Sequence, residues 1–272
     1  NRMECTMKDP MLGVQPSFTQ LGMAALLPHR ELSFDKQSDE VFADGRSTKG
    51  TDNRTKVLQN TVAKSIAIKA DDLLAIPNGK NWVKDYDLVY IYSNTIDKVG
   101  DAVATEKNVF KATEDEMDKL LRVVRYIRDA NGANIFITAD HGHIDTDYVV
   151  WQDYPALCDC LVRLPSLEPR VLNFFVKEGK HAFFEAEFNK EFGDKFLLMP
   201  MEEAIEKKLF GTGIPHTNFR AMLGDYLAIA ISDLSIYYIE ERWVSMHGSV
   251  TEEEMLIPLI VLNESKQKED PS

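Results

Sequence analysis

The stretch from Asp87 to Asp140 constrains the fold most, because its hydrophobic period changes twice. LVYIYS is a short apolar run of the kind that forms a buried strand, and NIFITAD at the other end is a second one. Between them Met117, Leu120, Leu121, Val124 and Ile127 recur at helical spacing. Thr113 with Glu116 fits a capping box at the helix start, and Gly132 stands just past its end. Two short strands joined by one helix predict a parallel βαβ crossover, since parallel neighbours need a long connection. Ligands of such units lie beyond the carboxyl ends of the strands, where Asp97 and Asp140 both fall.

At 272 residues the chain has the length of one elaborated α/β domain. Residues 1–146 and 225–272 are expected to form its core, which returns with DYLAIAISD and closes with EEEMLIPLIVL. Residues 147–224 read as an inserted subdomain, where CLVRL, HAFFEAEF and FLLMP alternate with prolines and charges. Between Asp39 and Lys56 the polar, glycine-containing DEVFADGRSTKGTDNRTK reads as an exposed, mobile loop. No apolar run approaches the roughly 20 residues that span a bilayer, and no signal peptide opens the sequence, so a cytoplasmic protein without a membrane partner is expected. The odd set Cys5, Cys158 and Cys160 lacks the spacing of a structural zinc site and reads as reduced thiols. A net charge of −13 argues against passive coating of nucleic acid, although acidic enzymes bind polyanions through local patches or metal ions.

Several segments carry residues of the right chemistry for a metal site. ITADHGH ends an apolar strand in adjacent carboxylate and imidazole groups, so Asp140 and His141 could bind one cation while Gly142 permits the turn. The alternative is a strand-end turn in which Asp140 caps a helix and His141 is surface-exposed. In NTIDKVGD, Asp97 and Asp101 share a face if the segment coils, and their mutual repulsion favours a cation between them. A solvated acidic turn fits the same residues. His247, in MHGSVTEEEM, is a candidate third ligand, and a lone His-Gly also fits a structural role. PSFTQLGMAALLPH sets Ser17 and Thr19 before a short apolar helix, which either hydroxyl could cap. Alternatively Thr19 attacks phosphorus while the helix amides hold the phosphate oxygens, and this chemistry needs a metal ion to favour the alkoxide.

The ordered series PSFTQLGMAALLPH, YSNTIDKVGD, ITADHGH and MHGSVTEEEMLIPL resembles a PglZ domain of phage-defence systems, in the alkaline phosphatase superfamily. The segment ADGRSTKGTDNR is also similar to that family. The resemblance implies a mostly parallel sheet flanked by helices, with an insertion. It further implies a metal-dependent phosphatase or phosphodiesterase whose substrates could include nucleic acid, with other defence-system proteins as partners. Thr19 would be the nucleophile. Asp140 and His141 would hold one divalent cation, and Asp97, Asp101 and His247 a second, with zinc or manganese as the metals. Asp101 stands where the superfamily pattern has histidine, which leaves the preferred metal open. The family's first strand and its aspartate are expected to be absent; Asp44 in VFADGR falls in the loop and is not expected to replace that aspartate. His143 is expected to make outer contacts to the site. The competing class is a catalytically inactive interaction subunit of a defence complex.

Overall fold

The computed structural model describes residues 3–15, 17–35, 38, 40–77, 79–102, 106–131, 133–215, 217–238 and 243–264. Strands Ser65–Lys69 and Leu88–Tyr92 pair in parallel, Ile66 beside Val89 and Ile68 beside Ile91. Helices Ala70–Ala75 and Gly79–Val83 make the crossover that such a pair requires. Ile68, Leu73 and Val83 pack with Val123 and Ile127 of the long helix Glu106–Asn131 in one buried cluster. The parallel unit therefore ends at Tyr92, and does not span residues 87 to 140 as the sequence suggested. Strand Ile135–Ile137 pairs antiparallel with Ile260–Glu264, whose other edge holds Met3–Met7. The architecture is of the expected α/β class. Pairing within the described strands is mixed, parallel also between Asp147–Val150 and Leu234–Tyr237.

The long helix differs from its sequence reading at two points. It begins at Glu106, so Thr113 and Glu116 are interior and form no capping box. Nothing in EKNVFKA breaks a helix, and extension costs little once neighbouring turns exist. Its buried line runs through Glu116, Val123 and Ile127, while Met117 and Leu121 are about half exposed, at 45% and 50%. Glu116 is tolerated inside because Lys119, one turn on, meets it at 2.8 Å.

Residues 40–56 are likewise not the loop expected between Asp39 and Lys56, of which Asp39 lies outside the described residues. Glu40–Ala43 pairs with Leu32–Asp35 on one side and Arg46–Ser47 on the other, and helix Thr51–Gln59 follows. Asp44 and Gly45 have φ of 48° and 74°, the two-residue turn that matches hairpin twist. The Asp44 carboxylate accepts the amides of Glu31 at 2.9 Å and Arg30 at 3.0 Å, which hold it below the usual carboxylate range. Polar composition concealed a strand whose buried face is only Val41 and Ala43.

Beyond Asp147 a second core forms. The strands Ser166–Glu168, Val171–Phe174, Tyr226–Ala230 and Phe196–Pro200 make a four-stranded antiparallel sheet in that order. Helix His181–Phe192 lays Phe184, Phe188 and Phe192 on it at helical spacing, against Trp151, Phe174 and Phe196. Because Tyr226–Ala230 is an inner strand, this packing unit continues past Gly224. Arg170, wholly buried, ties the unit to the segment that carries His247. Its Nε and Nη2 donate to the two Glu254 carboxylate oxygens at 2.7 and 2.9 Å, and it also reaches the Leu234 and Ser232 carbonyls. Among the described residues no helix is long and apolar enough to cross a membrane.

Candidate metal centre

Strand Ser245–Met246 pairs antiparallel with Ile144–Asp145, with Met246 opposite Ile144. One step further along the same ladder brings His247 towards His143, and their ring centroids are 5.5 Å apart. His141 stacks on His247 at 3.7 Å and 17°. The turn between His141 and His143 depends on Gly142, whose amide donates to the Glu254 carbonyl at 2.8 Å. A β-carbon there would stand 1.7 Å from the Glu253 carbonyl oxygen, so only glycine fits without moving backbone.

Each imidazole is held through Nδ1. His141 Nδ1 donates to the Gly142 carbonyl at 2.9 Å, His143 Nδ1 bonds Ser245 Oγ, and His247 Nδ1 bonds the buried Ser17 Oγ at 2.8 Å. A carbonyl only accepts, so neutral His141 carries its proton on Nδ1 and presents Nε2 as a lone pair. Outer bonds of this kind orient metal-binding histidines. Burial first, then His141 and His143, pushes the His247 pKa down to about 3. Burial also lowers that of His143, against the opposing pull of Asp97. Both rings are thus neutral near pH 7, the form that binds a cation.

Asp97 enters from the first turn of helix Thr95–Ala102, directly after strand Leu88–Tyr92. Its Oδ1 lies 3.6 Å from His143 Nε2, and one donor atom each from Asp97, His143 and His247 all fall within 4.8 Å of one another. Asp97 Oδ1, His141 Nε2 and His143 Nε2 are buried without a hydrogen-bond partner. Orphaned polar atoms at this depth are costly, and carboxylate oxygen with imidazole nitrogen is a donor set that fits a divalent cation. Asp140 adds a second carboxylate, with Oδ2 3.7 Å from His141 Nε2.

Thr19 opens the seven-residue helix Thr19–Ala25, preceded by Phe18, and no side chain caps it. Ser17, a candidate cap in the sequence, is committed to His247 instead. Gly22 seats this helix on Asp140: an added β-carbon would lie 3.1 Å from Asp140 Cβ and 3.4 Å from Oδ2. Thr19 is one turn earlier on the same face.

Of the candidate residues, His247 comes beside His141 and close to Asp97, and Asp140 lies against the Thr19 helix. Asp101 belongs to the same helix as Asp97, but its side chain is outside the described residues. The sequence reading left His143 among the outer contacts, whereas its Nε2 faces Asp97. The signal was available in ITADHGH, because residues two apart share a side of an extended chain. Ser17 and Ser245 had no such signal; only the fold brings them to the rings.

Residues 1–153 match the family described as the BREX system PglZ alkaline phosphatase-like domain. Over 137 residues the chain is 47% identical to the alkaline phosphatase-like protein BrxZ of Escherichia coli and 38% identical to the alkaline phosphatase-like protein PglZ of Bacillus cereus. The matched stretch is 49% of this chain and 16% of each relative's length. Among solved structures, murine ectonucleotide pyrophosphatase/phosphodiesterase 5 aligns with a TM-score of 0.58 at 15% identity, covering 94% of this chain and 79% of that one. Phosphonoacetate hydrolase from Sinorhizobium meliloti aligns with a TM-score of 0.57 at 12% identity, covering 94% and 81%. At these identities the likeness establishes the fold alone; the family description is what calls the domain alkaline phosphatase-like. With the family match extending over more than half of its length, from the Thr19 helix through ITADHGH, this chain belongs to the PglZ family.

Proposed function

We propose that this chain carries the active site of a metal-dependent phosphoester hydrolase in a BREX system, with Thr19 as the nucleophile. Asp140 and His141 hold one cation beside Thr19, and Asp97, Asp101 and His247, joined by His143, hold the other. The observation that carries this reading is the set of buried, unpartnered donor atoms, Asp97 Oδ1, His141 Nε2 and His143 Nε2, gathered next to the Thr19 helix. Two divalent cations, zinc or manganese, supply Lewis acidity there and favour the Thr19 alkoxide at neutral pH.

Thr19 Oγ attacks phosphorus in line with the leaving oxygen. The new bond to Thr19 forms as the ester P–O bond breaks, and the alcohol departs with the electron pair and takes a proton from solvent. Water then attacks the phosphothreonine and releases phosphate from a monoester or a phosphomonoester from a diester. The hydrogen bonds that the imidazoles make with the Gly142 carbonyl, Ser245 and Ser17 keep the rings in one orientation throughout, so nothing need reorganise as charge moves. The family's name and the hydrolase names of the solved neighbours support this chemistry, and the BrxZ and PglZ relatives support the defence-system setting.

The test is metal content measured together with turnover of p-nitrophenyl phosphate and bis(p-nitrophenyl) phosphate. Thr19→Ala should abolish turnover while metal content and folding persist, because Thr19 makes no capping bond. Undiminished turnover in that variant would remove Thr19 from the reaction. Metal binding without any turnover in the unmodified protein would assign the site to a binding role.

A further inference from the structure

A cavity of about 390 Å³ opens beside the proposed nucleophile, and the chemistry above gives it no task. Three segments far apart in the chain line it. Phe18, which immediately precedes Thr19, and Leu21 belong to the start of helix Thr19–Ala25. Phe34 and Val41 come from the paired strands Leu32–Asp35 and Glu40–Ala43. The second core supplies Leu167 and Glu168, from strand Ser166–Glu168. Small-molecule sites are mostly apolar with a few placed polar groups, and this lining follows that rule. Among the described residues that line it, Glu168 is the only charged one.

Glu168 also borders the histidines. Gly248, the residue after His247, has φ of 127°, and a β-carbon there would stand 2.9 Å from Glu168 Cβ. Glycine at 248 therefore lets the Glu168 strand lie directly against the histidine segment. Burial raises the Glu168 carboxyl above its ordinary range, and the nearby His141 opposes that shift. The cavity thus reaches from the residue before Thr19 to a carboxylate at the edge of the metal centre. Leu167 is held in its wall against local preference: its φ is 77°, a left-handed backbone that leucine rarely adopts, and the Tyr238 hydroxyl donates to its carbonyl. Phe34, 47% exposed, contributes little to a core and offers its ring to a flat neighbour.

We propose that this cavity receives the organic group of the phosphoester, and that it takes a neutral aromatic group while Glu168 turns away an anionic one. The apolar walls and the rings of Phe18 and Phe34 favour a flat, uncharged occupant. A carboxylate in a partly desolvated space repels a second negative charge. The proposal rests on the reading of Thr19 as nucleophile, and the measurements separate the two.

The probes are phosphonates, which hold no ester bond. Methylphosphonate, benzylphosphonate and 4-carboxybenzylphosphonate are titrated calorimetrically into the metal-loaded protein, Phe34→Ala and Glu168→Gln, with metal content and phosphoester turnover recorded in parallel. Benzylphosphonate should bind at least about tenfold more tightly than methylphosphonate, the worth of burying a ring. Phe34→Ala should keep its metal and lose most of that preference. The added carboxyl group should cost the parent about tenfold in affinity, and Glu168→Gln should recover it. Equal affinity for methylphosphonate and benzylphosphonate overturns the proposal, as does a preference that Phe34→Ala leaves unchanged. A carboxyl penalty that persists in full in Glu168→Gln removes Glu168 as the selecting charge. Benzyl alcohol binding as tightly as benzylphosphonate would detach the cavity from the phosphoryl position and overturn the proposal as well. If Phe34→Ala does not fold, the preferences of the parent and of Glu168→Gln decide. Any of these failures together with loss of turnover in Thr19→Ala leaves the hydrolase reading standing, whereas full turnover in Thr19→Ala sinks the reading on which the cavity's role rests.

Discussion

Among the described residues two arginines are buried, Arg170 and Arg54, and their surroundings are built in opposite ways. Around Arg170 every charge is met. Both Glu254 oxygens accept from the guanidinium, and they accept as well from the Ser249 amide at 2.9 Å and the Thr251 hydroxyl at 2.6 Å. Around Arg54 the acceptors are a carbonyl, a thioether and an aromatic face. The same contrast separates the aromatic cluster of Phe174, Phe184 and Phe188, where rings pack on rings, from the histidine cluster, where three polar atoms of Asp97, His141 and His143 are buried unpaired. The Arg170 guanidinium, which ties two parts of the fold together, is met by acceptors at Nε, Nη1 and Nη2.

The largest effect that would break this contrast lies at Arg170. Arg170→Ala should destabilise the protein by about 3–5 kcal/mol in urea unfolding, because it strands the buried Glu254 charge. Replacing both partners by apolar residues should recover most of that loss. A cost below about 1 kcal/mol would put the pair on a level with surface ion pairs and erase the distinction. Next is Ser17→Ala, which removes the hydrogen bond that orients His247. Competition with a chelator should show metal affinity reduced about 10- to 100-fold, and an unchanged value would make the Ser17 contact simple packing.

A smaller effect follows from His247 itself. Its folded pKa, about 3, lies below its ordinary value of 6.5, so between those values the unfolded chain binds the extra proton. The stability this burial protects is present in full above pH 6.5 and is lost on acidification through that window. The slope is at most about 1.4 kcal/mol per pH unit. Urea unfolding of the metal-free protein at stepped pH should show it, and His247→Gln should flatten it; an equally steep profile in that variant would place the titration elsewhere. The smallest expected change is the stability of Arg54→Met, within about 1 kcal/mol of the parent, since an apolar side chain of similar volume replaces a charge whose recorded partners are all neutral. A loss as large as that at Arg170 would show the two arginines to be alike.

Part of the candidate site was legible in the residues alone. An apolar strand ending in Asp140, His141 and Gly142, a hydroxyl ahead of an alanine-rich helix at Thr19, and the helical spacing before Ile127 are local patterns, set by backbone geometry that each segment carries with it. Even so, the limits of the long helix and its buried face were misread at Thr113 and Met117, and Asp44-Gly45 was read as loop although that pair favours a hairpin turn. Those features depend on what each segment packs against. The tertiary structure alone decided that Ile135–Ile137 pairs with Ile260–Glu264, that Met246 lies opposite Ile144 so that His143 meets Asp97 and His247, and that Ser17 serves a histidine rather than a helix end. Strand register is chosen by which residues the whole core can bury, and a slip of one position would turn His143 and His247 to the opposite face without altering any local pattern. The sequence by itself therefore determined which chemical groups stand at strand ends, while the partners those groups meet were settled by pairing between segments far apart in the chain.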